Sequence, residues 1–84
     1  MTFGELQLRK CIFQIGFDEH AVTRMAERGV SEDDVVEVLR NPDRTGLPTQ
    51  ANRERYRKAI SGRSVDVVFE HDPTQIVVIT VVAR

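Results

Sequence analysis

The 84-residue chain has one cysteine, Cys11, so it cannot form an internal disulfide. That usage suits a reducing compartment, and a cytoplasmic location is the expectation. Cys11 lies in the apolar run Cys11-Ile12-Phe13 with no adjacent base, and reads as a buried, inert thiol. His20, His71 and Cys11 stand at no ligand spacing, and neither H-E-x-x-H nor C-x-x-C occurs. No metal and no cofactor are therefore expected. A nucleophile elbow is lacking, and so is a glycine-rich phosphate loop. The longest apolar run, Ile76 to Ala83, is too short to span a bilayer. Met1 to Gln7 lacks the basic-then-apolar pattern of a signal peptide, so no membrane association is expected.

Length leaves room for one domain, residues 1–84. A chain of this size buries only about 60–65% of its unfolded surface, so a partner or a second copy could add stability. Hydrophobic content of 40% and charged content of 30% exclude general disorder. The net charge of −1 gives no overall pull toward nucleic acid. The charge is nevertheless segregated. Residues 1–43 sum to −4 and residues 44–84 to +3. Residues 44–63 hold Arg44, Arg53, Arg55, Arg57, Lys58 and Arg63 against Glu54 alone. Arginine offers a planar fork that matches phosphate or carboxylate, which lysine does not. An Arg-rich strand can equally serve only to keep a sheet edge soluble.

Along the chain, residues 8–15 predict a strand, broken by Gly16. Asp18 is a good N-cap for a helix over 19–28. At 100° per residue, Phe17, Ala21, Val22 and Met25 share the side that should face the core. His20, Thr23, Arg24 and Glu27 fall opposite, and Arg28 lies at the margin. Gly29 supplies the left-handed stop. Ser31 and Asp34 form a capping box for a second helix, with Val30 and Val35 at the staple positions. Glu32, Asp33 and Asp34 suit the positive end of that helix, which accounts for the acidity of the first half. Asn41-Pro42 ends it.

From Asp43 the period becomes that of strands. Arg44–Thr49 reads as a short strand, Gln50-Ala51-Asn52 as a turn, and Arg53–Ile60 as a strand with Tyr56 and Ile60 on one face and Arg53, Arg55 and Arg57 on the other. Ser61-Gly62-Arg63 signals a hairpin. Ser64–Glu70 and Gln75–Val82 are strands joined by a turn at His71-Asp72-Pro73-Thr74. The last is β-branched on both faces, so it should be central and buried on both sides. The expected fold is α+β: two short helices on a mainly antiparallel sheet of four or five strands, in the order β-α-α-β-β-β-β. The second apolar face would need cover, from the N-terminal segment or another subunit.

The segments HAVTRMAERGVSEDDVVEVLRNPD, RYRKAISGRSVDVVFE and IVVITVV together resemble the bacterial DUF4258 family of domains of unknown function. The resemblance covers residues 18–82, and residues 1–17 add nothing to it. It implies a fold like the RelE-type and BrnT-type toxins, which are similar to small metal-independent ribonucleases. It also implies an antitoxin-like protein partner. By resemblance alone, the motif positions are His20, Arg24, Met25, Glu27, Arg28, Gly29, Tyr56 and Thr80.

Metal-independent RNA cleavage needs a base for the 2′-hydroxyl, an acid for the leaving 5′-oxygen, and cations on the crowded phosphate. His20 is the natural acid or base, since imidazole titrates near the working pH. Arg24 could hold the phosphate, and Glu27 could orient His20 or carry the second proton. Arg28, Arg55 and Arg57 could complete the RNA cradle, with Tyr56 stacking a base. The structural alternative is equally concrete: His20 at a helix start, and Arg24 with Glu27 as an ordinary surface ion pair. Met25 then belongs to the core, Thr80 bonds locally within its strand, and His71 sits in a loop. Two functions follow. One is a toxin-like ribonuclease with an antitoxin and RNA as partners. The other is a non-catalytic interaction module that binds a protein or forms a homodimer, which the pI of 6.1 favours. Nucleic-acid binding without cleavage is a third, marked by a steep loss of affinity with salt. Convergence of His20 with Arg55 and Arg57 in one cleft distinguishes the first from the rest.

Overall fold

The computed structural model describes residues 3–8 and 11–84, with side chains described from Gln14 onward. The strand expected at 8–15 runs through residues 9 and 10, and the Cys11 thiol precedes Gln14, so both expectations fall partly or wholly outside the described residues. The elements are β1 (Phe3–Leu8), β2 (Cys11–Phe17), α1 (Glu19–Arg28), α2 (Glu32–Arg40), β3 (Glu54–Ile60), β4 (Arg63–His71) and β5 (Gln75–Ala83). One sheet contains the strands in the order β1-β2-β5-β4-β3. The class is α+β as expected, and β5 is central. The sheet is mixed: β2 runs parallel to β5, and the other pairings are antiparallel.

The element order differs from expectation in two places. The first strand is the second arm of a hairpin, because β1 pairs with β2 from Phe3↔Gly16 to Leu8↔Cys11. The strand expected over Arg44–Thr49 shrinks to a single bridge, Arg44↔Arg57. Gly46 takes a positive φ of 66° there, and Pro48 offers no amide to a ladder. The segment still covers the β3 edge. Arg44 and Arg57 exchange backbone hydrogen bonds of 3.0 and 2.9 Å, and the Leu47 amide donates to the Arg55 carbonyl at 3.3 Å. The Asp43 carboxylate accepts from the Ala59 amide at 2.9 Å and lies 3.5 Å from Lys58 Nζ. The amide bond, and secondarily the lysine charge, hold its pKa below the usual carboxylate value despite some desolvation.

Both helix starts form as their sequences dictate. Asp18 accepts from the His20 amide at 2.9 Å. Ser31 and Asp34 make both bonds of the capping box, each at 3.1 Å. Gly29 closes α1 with φ at 64°, in the left-handed region where a Cβ is disfavoured. The chain then enters α2 within three residues, because Val30 and Val35 are both buried as a staple. A further tie comes from β4. The Arg63 guanidinium donates to the carbonyls of Arg28 and Gly29, the latter at 2.9 Å, and so satisfies orphan acceptors at the end of α1.

The helices cover one face of the sheet. Ala21 and Met25 of α1 and Val35, Val38 and Leu39 of α2 pack on Ile15, Phe17, Val65, Val67, Phe69, Ile76, Val78 and Val81. Val22, expected in this core, is 44% exposed, because α1 meets the sheet along the single line of Ala21 and Met25. The last strand departs from expectation as well. A bulge between Val68 and Phe69 pairs Val68 with Thr80 but Phe69 with Val78, which leaves Ile79 without a partner. The inward parity therefore shifts from Ile76 and Val78 to Val81. Apolar residues on both faces of β5 record that shift. Its other side is half-buried at Val77, Thr80 and Val82 rather than buried. Leu39 is 1% exposed at the centre of the cluster, so Leu39→Ala should lower the unfolding free energy by about 2–5 kcal/mol in urea titrations.

Candidate functional site

The residues singled out in the sequence form two groups with the sheet between them. The first lies on α1. The Asp18 cap fixes where the helix begins, and positions i, i+4 and i+7 then bring His20, Arg24 and Glu27 onto one face. Arg24 stands in the middle. Its Nε donates to His20 Nε2 at 3.5 Å, and its Nη1 to Glu27 Oε1 at 3.0 Å. His20 and Glu27 are exposed, and the Arg24 side chain is 40% exposed. A pair so placed contributes less than about 1 kcal/mol. The trio is contiguous but stands on an open helix surface.

The second group lies on the far side of the sheet. Arg57 pairs directly across from Asp66 in the β3–β4 ladder, and Arg55 across from Val68. Side chains alternate along a strand, so these residues face away from Val65, Val67 and Phe69 and from the helices. Arg57 donates from Nε to Asp66 Oδ1 at 2.7 Å and from Nη2 to Oδ2 at 2.9 Å. Arg55 donates from Nε to Oδ2 at 2.7 Å, with its Nη2 2.6 Å from the same oxygen. Asp66 is 3% exposed, the one buried charged residue among those described. Desolvation alone would raise its pKa. Hydrogen bonds from Arg57 and Arg55 and their charges outweigh that, and hold the carboxyl below its ordinary value. The same contacts raise the pKa of Arg57.

The remaining expected site residues have structural surroundings. Tyr56 points toward the helices, stacked edge-to-face on Phe69 at 4.9 Å and 86°. It is half-buried against the core, not laid open on the arginine face. Arg28 is half-buried, its carbonyl receives Arg63, and its Nε is enclosed without a hydrogen-bond partner. Met25 is core, and Thr80 is half-buried on the arginine side, opposite Val68. The single cradle of His20, Arg24, Arg55 and Arg57 is thus not assembled. Strand alternation sends the β3 arginines through the sheet, away from α1.

Two features were missed by sequence reasoning. Asp66 carries no role in the sequence reading of the Ser64–Glu70 strand. A two-residue turn that pairs Ile60 with Arg63 must also pair Arg57 with Asp66, so the signal was present in the hairpin count. His71, expected in a loop, ends β4, with its Nε2 2.5 Å from Glu54 Oε2 and its ring 6.1 Å from Phe69. A shallow hollow of about 230 Å³ lies by the β4–β5 turn, lined by Glu70, His71, Asp72, Gln75 and Val77. Asp72 there is committed to the turn, accepting from the Thr74 and Gln75 amides at 2.8 and 2.9 Å. Among the described residues no three His, Cys, Asp or Glu side chains stand together as a metal would require. Nor is any described helix long and apolar enough to cross a membrane.

A family model described as Domain of unknown function (DUF4258) matches residues 17–83. No curated protein and no solved structure matches the chain.

The Asp66 cluster has a pH signature. Because folding lowers the carboxyl's pKa, its stabilisation is complete above the unfolded value of about 3.9 and is lost as the pH falls through that value toward the folded one. Asp66→Asn should cost about 1–3 kcal/mol at neutral pH and flatten the stability profile below pH of about 4, as measured by urea unfolding across pH.

Proposed function

The chain belongs to the DUF4258 family, and we propose that it acts as a non-catalytic protein-interaction module that docks through the sheet face opposite its helices. The observation that carries this reading is the placement of His20 and of Arg55 with Arg57 on opposite sides of the sheet. Cleavage at a ribose 2′-hydroxyl needs the proton carriers and the phosphate cations on one phosphate, within about 3 Å of the atoms they serve. A β-sheet with a helical layer on it is too thick for both groups to reach one phosphate.

The outer face has the make-up of an interface. No described helix covers it. Half-buried Thr80 and Val82 lie beside the fixed arginines, and Val68 beneath them is 5% exposed. Apolar centres with arginine anchors are what protein interfaces favour. A net charge of −1 supplies little of the electrostatic attraction that dominates RNA affinity.

A toxin-like ribonuclease with an antitoxin partner is the second reading, and one observation favours it: Arg24 bonds both His20 and Glu27. In that case His20 is the acid or base, Glu27 the second proton carrier, Arg24 the phosphate ligand, and the partner covers α1. Either function suits the bacterial cytoplasm.

Incubating the wild-type chain with end-labelled single-stranded RNA in EDTA separates the two. The expected outcome is no cleavage above buffer, and no difference between wild type and His20→Ala. Cleavage that His20→Ala abolishes would replace the module by the ribonuclease.

A further inference from the structure

We infer that Asp66 presents Arg55 and Arg57 as a fixed two-guanidinium fork that receives a carboxylate from a partner protein's acidic segment laid along the outer sheet face. This inference rests on the interaction-module reading.

The hydrogen bonds leave a surplus. A guanidinium carries five N–H groups. Arg57 spends two on Asp66, through Nε and Nη2. Arg55 likewise turns Nε and Nη2 toward Oδ2. The outward N–H groups of both remain, and one carboxylate set against two guanidiniums leaves a charge of +1. Asp66 itself is buried, so an incoming anion meets the arginines and not the acid. The arginine side chains are 23% and 34% exposed, enough to be reached and too little to swing freely. Their rotamer entropy is already lost on folding, which lowers the cost of binding a ligand.

The surroundings select the kind of anion. Val82 pairs across from Asp66, and Thr80 across from Val68, so the fork opens beside half-buried aliphatic surface. A free phosphate uses none of that surface, whereas an acidic residue followed by an aliphatic one uses both parts. Single-stranded RNA is held by base stacking on aromatic side chains. The Phe and Tyr side chains described, Phe17, Tyr56 and Phe69, belong to the helix side. At the far end of the face Glu70 is paired with Arg53 at 3.3 Å and Asp72 is held in its turn, so neither offers a free partner to the fork. The acid of the recognised segment therefore seats at the Arg55–Arg57 end, with its aliphatic neighbour on Thr80 and Val82. The exposed acids Glu32 and Asp33 of a second copy lie on the helix side and would reach the fork by a head-to-tail contact, which builds rings or filaments rather than a two-fold dimer.

The test is an NMR titration that follows the arginine Nε–H signals. The probes are a short peptide with Glu-Val-Glu-Val at one end, its Gln-Val-Gln-Val counterpart, and a uridine oligomer. The Glu peptide should shift the Arg55 and Arg57 signals and the Gln peptide should not. The double variant Arg55→Lys with Arg57→Lys keeps the charge, loses the fork, and should weaken binding about tenfold, about 1.4 kcal/mol. Asp66→Asn adds positive charge yet should also weaken binding, because it frees the fork. Equal or tighter binding by Asp66→Asn would reduce the site to bulk charge and overturn the inference. Stronger shifts with the uridine oligomer would overturn it too, as would self-association through this face. If Asp66→Asn does not fold, the double lysine variant decides. Cleavage of the oligomer would remove the underlying module reading, whereas an intact oligomer with no peptide binding removes the fork alone.

Discussion

The register between β3 and β4 is the constraint on which both faces of the molecule depend. A two-residue turn at Ser61 and Gly62, with φ of 51° and 79°, joins them and pairs Ile60 with Arg63. Such primed geometry matches the twist of the two strands. From that point the pairing is determined: Tyr56 opposite Val67 on the helix side, Arg57 opposite Asp66 on the other. A slip of one residue would turn the arginines into the core and Tyr56 and Ile60 out of it. The apolar cluster and the charged cluster are therefore two consequences of one register. Burial of about 1.5–3 kcal/mol for each large side chain holds it in place.

The helical layer is fixed by its caps and by one arginine. Asp18, Gly29, Ser31 and Asp34 set where α1 and α2 begin and end, and Arg63 ties the junction between them to the start of β4. With Ala21 and Met25 committed to the sheet, His20, Arg24 and Glu27 have only solvent to face. The polar trio and the arginine fork consequently occupy opposite poles of a particle whose dimensions are 30 × 25 × 25 Å.

That separation shapes what each pole can do. The α1 trio is an exposed hydrogen-bonded row, with Arg24 using its donors on its own helix. The outer face combines a buried carboxylate, surplus guanidinium donors and half-buried valines in one rigid surface. A buried charge is expensive unless fully paired, and Asp66 is paired on both oxygens. The arrangement places stiffness on the face that no described helix covers, which is where a docking partner gains most from preorganisation.

Periodicity and capping residues made much of this legible. The two helices, their ends and the Ser61-Gly62-Arg63 hairpin could be read from residue type and spacing, because those features are local. The bulge at Val68 and Phe69 could not, since a valine-rich strand with shifted parity looks the same as one buried on both sides. Helix periodicity puts Val22 in the core because it gives an arc, while only the line of contact with β5 decides which part of the arc is covered. The sequence by itself determined which side chains share a face within each element, through the fixed periods of helix and strand. Only the tertiary structure decided which faces meet, because that depends on which side of the sheet the helices cover. It placed His20 on one side and Arg55 and Arg57, bound to Asp66, on the other.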